Sequence, residues 1–195
     1  MRVLLFLSIF VCFNAFATPR VIEYSRLDPD RLISPTLLKK TYNYYVANLN
    51  RINNPRYMGL IDFKKHNSIE RFFIVDMDSG LVEKFLVAHG KNTDPSFSGY
   101  ASIFSNIIDS QMSSIGFYLT AETYDGAHGY SLRLDGLSST NSRARERAIV
   151  IHGADYVMPG NKIGRSFGCP AVEMRYHDHI INELKNGALI LASFE

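Results

Sequence analysis

Short apolar runs, bounded by residues that favour turns, recur along most of this chain and predict β-strands. The candidate strands cover residues 57–63, 71–76, 81–88, 116–124, 130–134, 148–151 and 188–194. The turn residues 76–80 join two of them and predict a β-hairpin. The polar segment 91–113 predicts a long loop with one helical turn near 103–108.

Two other stretches have the pattern of helices. Ser34 and Pro35 suit the cap and the first position of a helix, and the apolar residues after them recur at helical spacing to about Asn53. Residues 173–185 resemble a shorter helix that ends before Gly187. The fold class predicted from these patterns is mainly β, a β-rich α+β domain with an N-terminal helix and a short C-terminal helix.

The N-terminus has the pattern of a secretory signal peptide. A basic residue precedes an apolar run, and Ala15-Phe16-Ala17 suits a cleavage site, so residues 1–17 are predicted to be removed. The run is shorter than the roughly 20 residues that a membrane span needs, and we expect no stable span after cleavage. The remaining chain divides into an arm and helix at 18–56 and a catalytic domain at 57–195.

Charge and cysteine content narrow the function further. The formal net charge of +2, which becomes +1 without Arg2, gives no sign of nucleic-acid or membrane-surface binding. Of the two cysteines, Cys12 leaves with the signal peptide and Cys169 remains as a single thiol. Because exported compartments oxidise thiols, an unpaired cysteine there needs a reason, and a functional nucleophile is favoured over an inert cysteine or an intermolecular disulfide.

The stretch 148–172 carries the candidate chemistry. A short apolar strand ends in His152 and Gly153, and a glycine-rich loop then leads to Ser166-Phe167-Gly168-Cys169-Pro170. A nearby imidazole can take the proton of a thiol, and the thiolate is the nucleophile. An imidazole paired with Cys169 is expected to lower the pKa of its thiol. The N–H groups of Gly168 and Cys169 are candidate oxyanion donors. With Cys169 so close, we do not expect Ser166 to be a nucleophile.

These segments resemble the L,D-transpeptidase catalytic domain (YkuD-type) of peptidoglycan enzymes, in a divergent branch. The resemblance covers roughly residues 57–194. It rests on I-H-G at 151–153 with S-F-G-C-P at 166–170, and on V-A-H-G-K at 87–91, S-S-I-G-F-Y at 113–118 and H-G-Y-S-L-R-L-D-G-L at 128–137. It implies a β-sandwich or barrel-type domain.

The resemblance also implies an activity. Cys169 would attack a tetrapeptide stem at the carbonyl of its third residue, release D-alanine and form a thioester that an amine of a second stem resolves as a crosslink. His152 would be the general base and then the acid, oriented by the carbonyl of Gly153, with Asp155 as a rival orienting group. No cofactor is implied, the partners are donor and acceptor stems, and the location is the periplasm or cell wall. An L,D-carboxypeptidase and a non-catalytic wall-binding protein are the alternatives.

The chain departs from the commoner family pattern at two positions. Phe167 stands where the pattern S-H-G-C has histidine, and the arginine that closely follows the cysteine is absent. Arg165 or Arg133 are candidate substitutes for that arginine in substrate recognition. The remaining candidate substrate contacts are Ser166, Phe167, Tyr130 and His128, although turn stabilisation by His128 and His89 and aromatic packing by Tyr130 stay open. A zinc site from His89, His128 and His152 lacks a supporting ligand motif, so no metal is expected.

Overall fold

The computed structural model describes residues 21–160 and 163–195, so the predicted signal peptide at 1–17 lies outside the described residues. The helices are α1 (Pro35–Ala47) and α2 (His177–Leu184). The strands are β1 (Tyr57–Asp62), β2 (Phe72–Asp76), β3 (Val82–Phe85), β4 (Gly116–Gly126), β5 (Gly129–Gly136), β6 (Val150–Ala154), β7 (Ala171–Glu173) and β8 (Leu189–Ser193). Within the described part of the chain, no helix is both long and apolar enough to cross a membrane.

All eight strands form one sheet in the order β3-β2-β1-β8-β4-β5-β6-β7. The pairs β1·β8 and β6·β7 are parallel, and the others are antiparallel. The mainly β fold class with two helices is confirmed.

Apolar side chains fill both faces of the sheet, which explains why several strands are continuous apolar runs rather than alternating ones. In β2, Phe72 and Ile74 point into the core beneath α2, while Phe73 and Val75 point into the core beneath α1. Helix α1 contributes Leu37, Leu38 and Tyr45 to its core, and α2 contributes Ile180, Ile181 and Leu184 to the other.

The largest differences from the predicted elements lie at the helices and in the loop. Helix α1 begins at Pro35 as predicted but ends at Ala47, and a short 3₁₀ turn at Leu49–Arg51 replaces its last part. Ser34 caps the helix through its carbonyl, which accepts the Leu38 N–H, and not through its side chain. The helical turn predicted at 103–108 is wrong, because that segment is irregular and the short 3₁₀ turn of the loop lies at Lys91–Thr93 instead.

The strand β7 was not predicted, and it positions the candidate site. Its three residues pair with β6, so the helix predicted from residue 173 begins only at His177. The segment after β3 lies on the other side of β7. The bridge Val87↔Val172 joins it to β7, and the bridge Gly90↔Ser166 joins it to the loop that precedes β7. The segment 166–172 is therefore held between β6 and the chain that follows β3.

Candidate active site

His152 lies in the middle of β6, paired with Ser131 of β5 on one side and Ala171 of β7 on the other. Its side chain is buried, and Nδ1 is 2.9 Å from the carbonyl oxygen of Gly153. A carbonyl only accepts hydrogen bonds, so Nδ1 carries the proton in the neutral ring and Nε2 has a free lone pair. The orienting contact is thus made by Gly153, whereas Asp155 is exposed.

Two further imidazoles surround His152. The ring of His128, from the turn between β4 and β5, stacks on it with 4.3 Å between ring centroids and 21° between planes. Burial lowers the pKa of His152 below its ordinary value, the hydrogen bond to Gly153 opposes this, and the charges of His128 and His177 lower it further. His152 is therefore neutral at pH 7, the form that can accept a proton.

Cys169 is partly exposed, and its thiol lies against the first residues of β6. Sγ is 3.6 Å from the carbonyl oxygen of Ala148, and the backbone N–H of Val150 donates to it. Burial raises the pKa of the Cys169 thiol, while the Val150 N–H and the charge of Arg147 act in the opposite direction. The sequence led us to expect a lowered pKa. The structure differs because the thiol packs against the apolar core.

The two candidate catalytic residues lie on neighbouring segments, His152 in β6 and Cys169 in the loop just before β7. Cys169 precedes Ala171, the pairing partner of His152, by two residues. Its thiol lies beside Val150, which is two residues, or about 7 Å, before His152 along β6. The parallel pairing of β6 with β7 thus places the segment of Cys169 beside the strand of His152, although the two residues are seventeen positions apart in the sequence.

Ser166 and Gly168 shape the loop that carries the thiol. The hydroxyl of Ser166 accepts the Gly168 N–H at 3.1 Å and donates to the carbonyl oxygen of Cys169 at 2.6 Å. Of the two N–H groups expected to stabilise an oxyanion, that of Gly168 is therefore engaged within the loop. The Cys169 N–H has no acceptor among the residues that the structure describes. Both hydrogen bonds of the Ser166 hydroxyl thus stabilise the loop.

The segment 87–94 braces the loop from the side opposite β6. The Ser166 N–H donates to the His89 carbonyl at 3.0 Å, and the Lys91 N–H donates to the Ser166 carbonyl at 2.7 Å. Beyond the thiol, the Ala88 N–H donates to the Ala171 carbonyl at 2.9 Å. Backbone hydrogen bonds therefore fix the chain on both sides of Cys169.

The His89 side chain belongs to a buried polar network under this brace. Its Nδ1 accepts a hydrogen bond from Arg71 Nη2 at 2.9 Å, and its Nε2 faces Asp94 Oδ2 at 3.6 Å. Burial and the charge of Arg71 lower the pKa of His89 to about 4. Arg71 also donates to the carbonyls of Val87 and Lys65. Both ring nitrogens of His89 thus face members of this network, Arg71 and Asp94.

Of four other residues expected near the substrate, one is highly exposed and three contact other residues of the protein. Phe167 is 71% exposed beside the thiol. Arg165 donates to the Asp94 carbonyl at 2.7 Å and lies over the ring of Phe97 at 4.2 Å. Arg133 pairs with Glu122 at 3.1 Å. Tyr130 packs partly against the core, and its hydroxyl donates to Asn182 at 3.3 Å.

Arg147 is a residue of the site that the sequence analysis missed. Its guanidinium donates to the carbonyls of Ser105 at 2.7 Å and Met112 at 2.5 Å, which fixes the long loop behind Gly168. The sequence shows only a polar, basic loop before β6 and does not distinguish this arginine from Arg143 and Arg145. Its place immediately before the apolar run that leads to His152 is the one signal available.

Comparisons with known proteins agree with this architecture. The family model described as the L,D-transpeptidase catalytic domain matches residues 30–193. A comparison with functionally curated proteins found no match.

Solved structures also resemble the chain, at low sequence identity. An L,D-transpeptidase from Mycobacterium smegmatis is 13% identical, with 71% of this chain and 58% of that one covered and a TM-score of 0.45. An L,D-transpeptidase from Mycobacterium tuberculosis is 13% identical, with coverage of 71% and 57% and a TM-score of 0.47. The helical cell shape determining protein Pgp2 from Campylobacter jejuni is 11% identical, with coverage of 78% and 54% and a TM-score of 0.47.

The chain spans less than two thirds of the length of each of these three structures, and the likeness is too weak to carry a functional argument. The family model is different, because its match extends over most of the chain and includes every helix and strand of the sheet. This protein therefore belongs to the L,D-transpeptidase catalytic domain family.

Proposed function

We propose that this protein is an exported peptidoglycan L,D-transpeptidase that works through a thioester on Cys169, with His152 as general base and acid. The observation that carries the proposal is the hydrogen bond from His152 Nδ1 to Gly153. It leaves Nε2 free to accept a proton on the strand next to the segment of Cys169. Membership of the family supplies the substrate class, the peptide stems of peptidoglycan.

In the acylation step, His152 Nε2 takes the proton of the Cys169 thiol. Sulfur then attacks the carbonyl carbon of the third residue of a tetrapeptide stem. The C–N bond to the terminal D-alanine breaks, and the leaving amine takes the proton back from His152. A thioester and free D-alanine result, with all atoms and charges balanced.

The pKa shifts of Cys169 and His152 agree with their proposed roles as nucleophile and general base. The pKa of the Cys169 thiol is raised by burial, so the resting nucleophile is protonated and needs a base. The pKa of His152 is lowered, mainly by burial, so the base is unprotonated at neutral pH. Proton transfer between the two groups then accompanies attack and is not complete beforehand.

The tetrahedral intermediate carries a negative oxygen that a backbone donor can stabilise. We assign this role to the Cys169 N–H, because the Gly168 N–H is already bonded to Ser166. A single preorganised donor of this kind is worth about 2.7–4 kcal/mol of barrier in comparable sites. Gly168 contributes through its φ of 121°, the backbone conformation on which the turn before Cys169 depends.

The deacylation step decides the product. An amine of a second stem attacks the thioester carbon, gives its proton to His152 and forms an amide crosslink, while sulfur leaves and regains its proton. Water in place of the amine would give the L,D-carboxypeptidase reaction. Phe167, exposed beside the thiol, and His128, stacked on His152, lie where they can contact the stems.

The test uses the purified protein with defined tetrapeptide muropeptides, analysed by mass spectrometry, beside Cys169→Ala and His152→Gln. We expect crosslinked dimers from the wild type, none from Cys169→Ala and at least a hundredfold slower formation by His152→Gln. His179→Gln, which replaces an exposed histidine paired with Glu83, is the matched control for His152→Gln and should retain activity.

Each contrary outcome identifies an alternative. Release of D-alanine without dimers would replace the transpeptidase with the carboxypeptidase. No change in any stem would contradict catalysis and favour a wall-binding protein. Dimers formed equally by Cys169→Ala would overturn the assignment of the nucleophile.

A further inference from the structure

We propose that Arg147 is a positioning residue of this site, the partly buried cation that stabilises the thiolate of Cys169. The inference rests on the proposed function, in which Cys169 is the nucleophile.

The chain places Arg147 through a helical turn that ends next to the thiol. The Arg147 N–H donates to the Arg143 carbonyl at 2.9 Å, and the Ile149 N–H donates to the Ala144 carbonyl at 3.0 Å. Ala148 lies between them with a φ of 53°, the left-handed conformation that closes a helical turn. This closure turns the Ala148 carbonyl to Cys169 Sγ, so consecutive residues supply the carbonyl and the neighbouring cation.

The charge of Arg147 is not neutralised by a carboxylate. Its Nη1 donates to the Ser105 carbonyl and the Ser114 hydroxyl, and its Nη2 donates to the Met112 carbonyl and the Ser110 hydroxyl. All four acceptors are neutral, and Arg147 forms no ion pair with any residue that the structure describes. Arg143 and Arg145, in the same turn, pair with Glu146 and with Asp135 and Glu122.

The guanidinium lies directly against the backbone that carries the thiol. A methyl group added at Gly168 would lie 3.2 Å from Arg147 Nη2 and 3.4 Å from the side chain of Ile149. The Ser113 hydroxyl donates to the Gly168 carbonyl at 3.2 Å and closes the same region. A partly buried, uncompensated charge at this place acts on Cys169 with little screening by solvent.

The electrostatic directions agree with the geometry. The Arg147 charge lowers the pKa of Cys169 against the effect of burial. Burial lowers the pKa of Arg147 itself, and the charges of Tyr118 and Cys169 oppose that effect. Among the described residues, Tyr118 and Tyr156 also interact electrostatically with the thiol. Burial raises the pKa of each to about 12, so both stay neutral near pH 7.

The test follows the alkylation of Cys169 by iodoacetamide as a function of pH, read by mass spectrometry on the peptide that contains it. The thiolate sulfur forms the new S–C bond as iodide leaves, so the midpoint of the pH profile reports the thiol pKa. We expect Arg147→Gln to raise the midpoint by about one pH unit, which is a tenfold lower thiolate fraction at pH 7. Arg147→Lys, which keeps the charge, should restore at least half of the shift.

The matched control is Arg143→Gln, which removes an equal charge from the same turn and should leave the midpoint unchanged. An unchanged midpoint in folded Arg147→Gln would overturn the proposal, and so would an equal shift in Arg143→Gln. If Arg147→Gln does not fold, Arg147→Lys provides the test. A folded Arg147→Lys variant keeps the positive charge, so a rise of its midpoint by a full pH unit would also overturn the proposal. Alkylation needs no muropeptide, so failure here is distinct from failure of the proposed transpeptidation.

Discussion

At the residue scale, the candidate site is built from ordinary side chains held by main-chain groups. The carbonyl of Gly153 fixes the tautomer of His152, and the Ser166 hydroxyl closes the turn that presents Cys169. Gly168 makes this turn possible, because its φ of 121° is a conformation that side chains with a Cβ rarely adopt.

Gly168→Ala tests that requirement. The added methyl group would lie 2.7 Å from the carbonyl oxygen of Met112, so the loop has to move. We expect a loss of about 1–3 kcal/mol in the free energy of unfolding and at least a tenfold loss of crosslinking activity, measured by urea denaturation and muropeptide assay.

Gly160→Ala is the matched control for this prediction. Gly160 also has a positive φ, 129°, but a methyl group there would meet no atom within 4 Å. It should therefore show the backbone strain without the steric displacement of the thiol loop, and it should retain activity. Equal loss of activity in both variants would contradict a specific role for Gly168.

At the element scale, two neighbours fix the segment of Cys169: strand β6 and the brace at 87–94. The brace depends on a buried charge, because Arg71 holds the carbonyl of Val87 and the ring of His89 beneath it. The pKa of Arg71 is lowered by burial to about 9, so the side chain keeps its charge at neutral pH.

Because the brace contains the buried imidazole of His89, we expect the stability of the protein to depend on pH. The folded pKa of His89 is about 4 against 6.5 in the unfolded chain, so below pH 6.5 only the unfolded chain takes up this proton. The contribution of His89 to stability is thus full above pH 6.5 and falls towards pH 4, by about 3 kcal/mol in total. Urea unfolding between pH 4 and 7 measures it, because the free energy of unfolding should rise with pH.

Two variants isolate the contribution of His89 to this profile. His89→Gln should remove about 3 kcal/mol of the pH-dependent change in the free energy of unfolding. His66→Gln replaces a histidine outside the buried Arg71–His89 network and should keep that change. A profile that is the same in the wild type and His89→Gln would contradict a buried, neutral His89.

Sequence reasoning reached the elements that carry a local signal. The apolar runs of β1, β2 and β8 and the helix start at Pro35 were visible in the sequence because burial on two sheet faces and proline geometry leave a local pattern. Strand β7 was missed, since three residues are too few for a period to appear. Its pairing with β6 comes from the tertiary fold.

The candidate site likewise contains residues that the sequence indicated and residues that it did not. Cys169, His152 and the Gly153 carbonyl were all chosen from one contiguous stretch; the structure pairs His152 Nδ1 with the Gly153 carbonyl and places Cys169 just before the strand that pairs with β6. Arg147 was missed because only the chain geometry separates it from its paired neighbours Arg143 and Arg145. The engagement of the Gly168 N–H by Ser166 likewise depends on the turn conformation and not on residue type.

At the scale of the whole molecule, one sheet with a core on each face supports the candidate site at its β6–β7 edge. Helix α1 closes one core, and α2 closes the other next to β6. The loop at 97–113 is tied to the turn before β6 by Arg147, which donates to the carbonyls of Ser105 and Met112.

The central claim, that Cys169 carries the stem as a thioester, is tested most directly by intact-protein mass spectrometry. The protein is incubated with a tetrapeptide stem whose acceptor amine is blocked, quenched in acid and mapped by proteolysis. The account predicts an adduct equal to the tetrapeptide less D-alanine, on the peptide that contains Cys169, and no adduct in Cys169→Ala. Release of D-alanine with no adduct on Cys169, or an adduct on another residue, would contradict it.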